Sequence, residues 1–332
     1  MDYFNREIMY DRQHLNGFRK SLGAPLIDRT GTMNRQIRII DRIPSDLSDA
    51  KGFERTTDHR ARSILKKCSE LRRDLRVSYS GGIDSTVAMA AIIKNIEEFQ
   101  DVKVVVVLTQ KSIKENPRFY VDHIKGDFET WKTSPKMLSE TLVRYTGNPF
   151  FVTSGELGDQ LFGSALMFNG DPEKLSRPWY EVFNSREVDF FLPLMQANPQ
   201  ITEDDSTANA LWWMNFTLKY QWVQLRMFAM MAGNIPLPDF FPFFGGDKYQ
   251  KYSLATPMSE KFSDFNDPKT YKMPAKEYIY SLDGNKEYRD NKVKVPSLKE
   301  NLDQRIADYV ERVDENLNLI KMENKIEVSK VT

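Results

Sequence analysis

The feature that most constrains this chain is Ser80-Gly81-Gly82-Ile83-Asp84-Ser85-Thr86. It follows a short alternating run, Leu75–Tyr79, and precedes an apolar run from Val87 to Ile96 with helical character. Strand, glycine-rich turn and helix start in that order make a phosphate cradle. Two adjacent glycines let the backbone approach an anion with no side chain in the way. The helix start adds unpaired N–H groups and the positive end of its dipole. Ser80, Ser85 and Thr86 supply hydroxyl donors, and Asp84 supplies a carboxylate able to hold Mg²⁺ against phosphate oxygens.

No lysine directly precedes Ser85 or Thr86, so this is not the G-x-x-x-x-G-K-[ST] phosphate loop. The stretch is similar to S-G-G-x-D-S-[ST], the PP-loop of the N-type ATP pyrophosphatases. That resemblance implies cleavage of ATP between its α and β phosphates and adenylation of a substrate.

The 332 residues suit one large domain or two smaller ones. Lysine plus arginine and aspartate plus glutamate both number 47, so net charge gives no pointer to a nucleic-acid partner and does not exclude one. The longest unbroken apolar run, Val87–Ile93, is far too short to cross a bilayer, and Met1-Asp2-Tyr3 opens a polar segment. The expectation is therefore a cytoplasmic protein without a membrane partner. Cys68 is the sole cysteine, which excludes internal disulfides, any Cys₄ or Cys₂His₂ metal site and the paired-cysteine or iron–sulfur chemistry of sulfur-inserting PP-loop enzymes. His14, His59 and His123 are too scattered to argue as a metal site.

Along the chain, Asp28–Thr32 reads as a turn and Gln36–Ile43 as a strand ended by Pro44. Thr57-Asp58 caps a helix running to about Glu70. Val102–Leu108 has the β-branched character of a parallel strand buried on both faces, closing a βαβ unit. Thr109–Asn116 leaves that strand at the edge where ligands bind in open α/β sheets and is placed to flank an adenine. Phe119–Gly126 and Ser134–Thr146 read as helices and Pro149–Thr153 as a short strand. In Leu211–Met231, Trp212, Trp213, Phe216, Tyr220, Val223, Met227, Met230 and Met231 repeat at helical spacing, as core rather than as a cofactor box. Ile235–Phe244 reads as an ordered aromatic loop and Leu302–Met322 as a terminal amphipathic helix. The expected division is 1–58, an extension of unassigned role; 59–170, the nucleotide-binding core; and 171–332, a mainly helical part completing the site.

A second stretch, Ser154-Gly155-Glu156-Leu157-Gly158-Asp159-Gln160-Leu161-Phe162-Gly163, again follows an apolar strand end. Together the two stretches resemble the synthetase domain of asparagine synthetase, whose second loop reads S-G-E-[GS]-[SA]-D-E-L-F-G-G. Ser154, Gly155, Glu156, Asp159, Leu161, Phe162 and Gly163 match it. The resemblance spans about 60–296 and implies an α/β fold: a parallel-sheet PP-loop core (adenine nucleotide alpha hydrolase-like) with a helical C-terminal part. It also implies roles. Asp84 and Asp159 hold Mg²⁺ on ATP, and Glu156 is the general base for the attacking amine. Ser154 and Gly155 touch the ribose, Leu108 or its neighbours pack the adenine, and Lys272 and Lys276 face the pyrophosphate.

Three departures bear on the substrate. Leu157 replaces a small residue, Gln160 replaces an acid, and Gly245 stands where the family has aspartate. Position 2 is aspartate rather than a nucleophilic cysteine, and the 79 residues before Ser80 are too few for a glutaminase domain. The expected reaction is AMP-forming ligation of a carboxylate to ammonia or another amine, with ammonia free or from a separate source. The alternatives are a PP-loop enzyme acting on a nucleobase or nucleic acid, and a catalytically silent nucleotide-binding protein.

Overall fold

The computed structural model describes residues 27–32, 39–144, 146–163, 171–197, 201–202, 205–224 and 239–294. Among them five strands form one parallel sheet: β1 (Asp74–Tyr79), β2 (Val104–Thr109), β3 (Glu129–Thr133), β4 (Phe150–Ser154) and β5 (Phe240–Pro242). Their spatial order is β3-β2-β1-β4-β5. Residue identity explains the centre. All six residues of β2 and all five of β4 are buried, as strands covered on both faces require.

Alternation sorts the two faces. Leu75, Val77 and Tyr79 of β1 join Val104, Val106 and Leu108 of β2 in the larger core. Val105, Val107, Phe150, Val152 and Phe240 point into a smaller cluster on the other face. Over the larger core, α1 (Phe53–Glu70), α2 (Ile83–Asn95) and, from much later in the chain, the Met273–Asp283 helix pack against one another. The short Leu138–Val143 helix covers the smaller cluster. Arg76 faces that side: its guanidinium lies 3.4 Å from the Phe150 ring centroid and donates to the Leu142 carbonyl at 2.8 Å.

From β1 the chain steps outward to β2 and β3, then returns to β4 on the other side of β1. Ser78 pairs with Ser154 and Tyr79 with Leu108. The carboxyl ends of β1 and β4 therefore sit side by side where the winding reverses, the place where an open α/β sheet leaves a crevice.

Several expectations need correction. Helix α1 starts at Phe53, four residues before the expected cap; Thr57 lies inside it and donates to the Phe53 carbonyl at 2.7 Å. Burial of the Phe53 ring against Phe162, Tyr252 and Tyr278 explains the earlier start. Residues 39–43 of the expected first strand are not a strand, and 36–38 lie outside the described residues. The Ile40 amide donates to Gln221 and the Asp41 carbonyl accepts from Arg29, so side chains take the place of a ladder. Phe240–Pro242, expected as loop, is the edge strand β5, while 235–238 lie outside the described residues. The expected 119–126 helix forms at Pro117–His123.

The aromatic stripe begins as α3 (Thr207–Met214) and continues through a π-helical turn at Asn215–Lys219. Trp212, Trp213, Phe216, Tyr220 and Val223 are all buried core. Met227, Met230, Met231 and the expected 302–322 helix lie outside the described residues. No helix among the described residues is long and apolar enough to cross a membrane.

Candidate functional site

The first loop closes on itself before it meets anything else. The Ser80 amide donates to the Ser85 hydroxyl at 3.1 Å, and Ser85 Oγ donates to the Gly82 carbonyl at 3.1 Å. Gly81 takes φ +78°, and a Cβ there would collide with the Ser112 carbonyl. Ser112 is fixed by a reciprocal cap with Thr109, so the Gln110–Glu115 helix leaving β2 lies directly on the loop. Only glycine satisfies both the left-handed backbone and that approach.

The second loop docks on the first. A Cβ at Gly155 would stand 2.5 Å from the Ser85 amide nitrogen, and one at Gly158 would stand 2.5 Å from the Asp84 carboxylate. These two glycines bring β4's exit onto the start of α2, which neither loop's motif predicts alone. Between them Leu157 holds φ 75°, a left-handed conformation unusual for leucine, with its side chain 1% exposed. Ser154 closes β4, and its hydroxyl accepts from the Glu156 amide at 3.4 Å.

This docking aligns two carboxylates. Lys272 Nζ lies 2.6 and 2.7 Å from the Asp84 oxygens and 2.7 Å from Asp159 Oδ1. Lys294 also pairs with Asp159. Lys272 adopts φ 59° at the start of the Met273–Asp283 helix, which aims its side chain back under the loops. Burial penalises every charge here, and the partners decide the outcome. Lys272 stays above the usual lysine range because Asp159 and Asp84 outweigh burial. Asp159 falls well below the carboxylate range because Lys272 and Lys294 outweigh burial. Asp84 is raised, since burial and the neighbouring Asp159 charge exceed what Lys272 returns.

The remaining sequence-derived residues are less close. Lys276 is wholly buried and donates to the backbone carbonyls of Lys269 and Lys292 rather than to either carboxylate. Burial pushes it down to about 8. Thr86 is fully buried, and so is Leu108 inside the larger core in register with Tyr79. Lys294 is the residue that the sequence reading missed. It belongs to no motif, and only the path of the chain after the Lys286–Asn291 helix brings it to Asp159. Lys292 of the same stretch pairs with Glu115, beside Gly81.

Among the described residues no group of three or more histidine, cysteine or acidic side chains gathers as a metal centre. Two carboxylates do suit Mg²⁺, which keeps several waters and completes its shell with substrate phosphate oxygens. The lysines supply the matching positive charge for those phosphates. The donor set therefore fits Mg²⁺ with a polyphosphate.

No family model and no curated protein matches the chain. Among solved structures, a U34-tRNA thiolase, NcsA from Methanococcus maripaludis with its 4Fe–4S cluster, is similar at 14% identity and a TM-score of 0.27. That similarity covers 75% of this chain and 89% of the thiolase. Cys68, the chain's single cysteine, is buried.

Proposed function

We propose that this protein is a Mg·ATP-dependent enzyme that adenylates its substrate, releases pyrophosphate, and passes the activated group to an amine with release of AMP. The observation that carries the reading is the meeting of Asp84 and Asp159, from loops at the ends of β1 and β4, across one buried lysine. A binding-only cradle has no need of two opposed acids. A site that moves negative charge from the α–β phosphoanhydride bridge onto a leaving pyrophosphate does need paired acids and lysines.

In this reading Ser80, Gly81, Gly82 and Ser85 hold the phosphates through backbone and hydroxyl donors, and Asp84 and Asp159 hold the metal. Bound Mg²⁺ would neutralise charge gathering on the departing pyrophosphate. Lys272 and Lys294 turn from the carboxylates toward phosphate oxygens, trading one charge-assisted contact for another. Glu156, directly after the β4 exit, accepts the proton of the attacking amine. A ligase of the asparagine synthetase type, joining a small carboxylate to ammonia or another amine, is the finer form of this proposal.

A second reading, a nucleobase or nucleic-acid substrate, draws on one face of α1. Arg55, His59, Arg62 and Lys66 lie exposed there at helical spacing, and burial, Lys248, Arg60 and Arg62 push His59 below its usual range. Glu98 pairs with Arg62 at 3.3 Å and Glu70 with Lys66 at 3.7 Å, which removes much of the field.

Product analysis with Mg·ATP decides between them. AMP and pyrophosphate formed with carboxylates and amines support ligation. AMP formation stimulated only by RNA or nucleobases supports the second reading. ADP and phosphate overturn both, and ATP binding without turnover across the substrate panels marks a silent nucleotide-binding protein.

A further inference from the structure

Behind the loops lies a separate cavity of about 280 Å³. Its apolar walls come from Ile201, Leu254, Met258 and Trp212, with Asp205 and Lys261 as its charged members. Lys261 is 1% exposed, and its Nζ sits 3.5 Å from the centroid of the Trp212 ring. No acid pairs with it among the described residues. Asp205 is committed elsewhere, accepting from the Thr202 amide at 2.6 Å and from Asn209 at 2.8 Å. Trp212 is held from its far side, its indole N–H donating to the Leu161 carbonyl at 3.0 Å. A buried amine with no paired acid among the described residues thus faces a cavity of mixed polar and apolar lining across a fixed aromatic wall, a costly position for an ammonium.

We infer that this cavity is a binding site for a small organic carboxylate, its apolar carbons against Leu254 and Met258 and its charge on Lys261. The volume admits a few-carbon acid and no nucleotide. Burial pushes Lys261 far below the usual lysine range, with Glu260 on the same helix opposing. Asp205 is the acid across the cavity, and the Tyr252 hydroxyl on the Asp247–Ala255 helix is raised by burial, so it stays protonated. Burial therefore disfavours the charged form of Lys261. An arriving carboxylate restores the ammonium, so binding takes up a proton. The Lys261 carbonyl accepts from the Lys272 amide at 2.9 Å, which places the ligand one backbone hydrogen bond from the lysine between Asp84 and Asp159.

The test is calorimetric titration of butyrate into the full chain at about pH 9, below the ordinary lysine value, in two buffers of different ionisation enthalpy. Succinate and acetate serve as further probes. The expected result is saturable binding accompanied by proton uptake, weaker as pH rises. Lys261→Met is expected to bind at least about tenfold more weakly, a loss near 1.4 kcal/mol, and to melt no lower than the parent because an isosteric apolar group replaces an unpaired amine. Lys261→Gln is expected to abolish the proton uptake. Binding is expected to persist with Mg·ATP present and in Asp84→Asn, which separates this site from the nucleotide reading. Absence of binding, binding without proton uptake, or unchanged affinity in Lys261→Met would each overturn the proposal.

Discussion

Lys272 Nζ stands between Asp84 and Asp159, within 2.7 Å of both, and so joins two loops to a helix 188 and 113 residues further along the chain. One ammonium compensates two carboxylates that the docked glycines force together. Lys272→Met is expected to leave them facing each other and to lower stability by about 3–4 kcal/mol, the lower part of the range for breaking a buried pair because the acids keep some exposure. The same variant should gain more thermal stability from added Mg²⁺ than the parent does. Melting curves with and without Mg²⁺ check this, and equal increments in both proteins would refute it.

The contact between the two loops depends on the absence of a methyl group. Gly155→Ala and Gly158→Ala each place a Cβ 2.5 Å from fixed atoms of α2, the Ser85 amide and the Asp84 carboxylate. Overpacking of this kind costs about 1–3 kcal/mol, and pyrophosphate release should fall far more than stability does. Gly147→Ala meets no atom within 4 Å but carries φ +94°, so it reports backbone strain alone.

Leu157 presents opposing effects whose sizes differ. Its left-handed backbone costs about 1–2 kcal/mol, while burying the side chain returns about 1.5–3 kcal/mol with a further cavity penalty on removal. Leu157→Gly is therefore expected to destabilise, by about 1–2 kcal/mol, although it relieves the strain. Chemical denaturation measures it; a stabilised variant would show that strain, not packing, governs this turn.

Lys276 makes stability depend on alkaline pH. Its value is lowered to about 8 in the folded chain, against 10.5 for a free lysine. Between those limits the unfolded chain binds more protons, so this residue makes stability rise with pH across that window. Subtracting the pH profile of Lys276→Met from that of the parent isolates the slope. A flat difference would show that the two carbonyl acceptors hold the charge after all.

The proposed roles separate by step. Asp84→Asn and Asp159→Asn should abolish pyrophosphate release, while Glu156→Gln should keep it and lose amide formation. Isotope exchange between pyrophosphate and ATP reads the first step without the second. Loss of exchange in Glu156→Gln as complete as in Asp84→Asn would remove the base assignment.

Both loops were legible because each depends on local chemistry: small residues, an adjacent strand end and an acid in the following turn. The central strands were legible for a related reason, since a run such as Val104–Leu108 has few other places to go. The sheet's edges were not. Glu129–Thr133 carries no apolar run, and its ladder to β2 forms because β2 already presents a free edge. Phe240–Pro242 is three residues long and is recruited by Val152–Ser154. Lys294 and Lys261 were invisible for a third reason: a lysine's partners are set by tertiary approach, and its neighbours in sequence record nothing of them.

The Met273–Asp283 helix packs on α1 and α2, and it brings the lysine that neutralises acids laid down much earlier in the chain. During synthesis the nascent polypeptide exposes Asp84 and Asp159 while residue 272 is still inside the ribosome. Until Lys272 emerges, those loops carry uncompensated negative charge and resist closing on each other. The order of translation thus delays assembly of the site, and a chain arrested before residue 272 should lack both its closure and its chemistry.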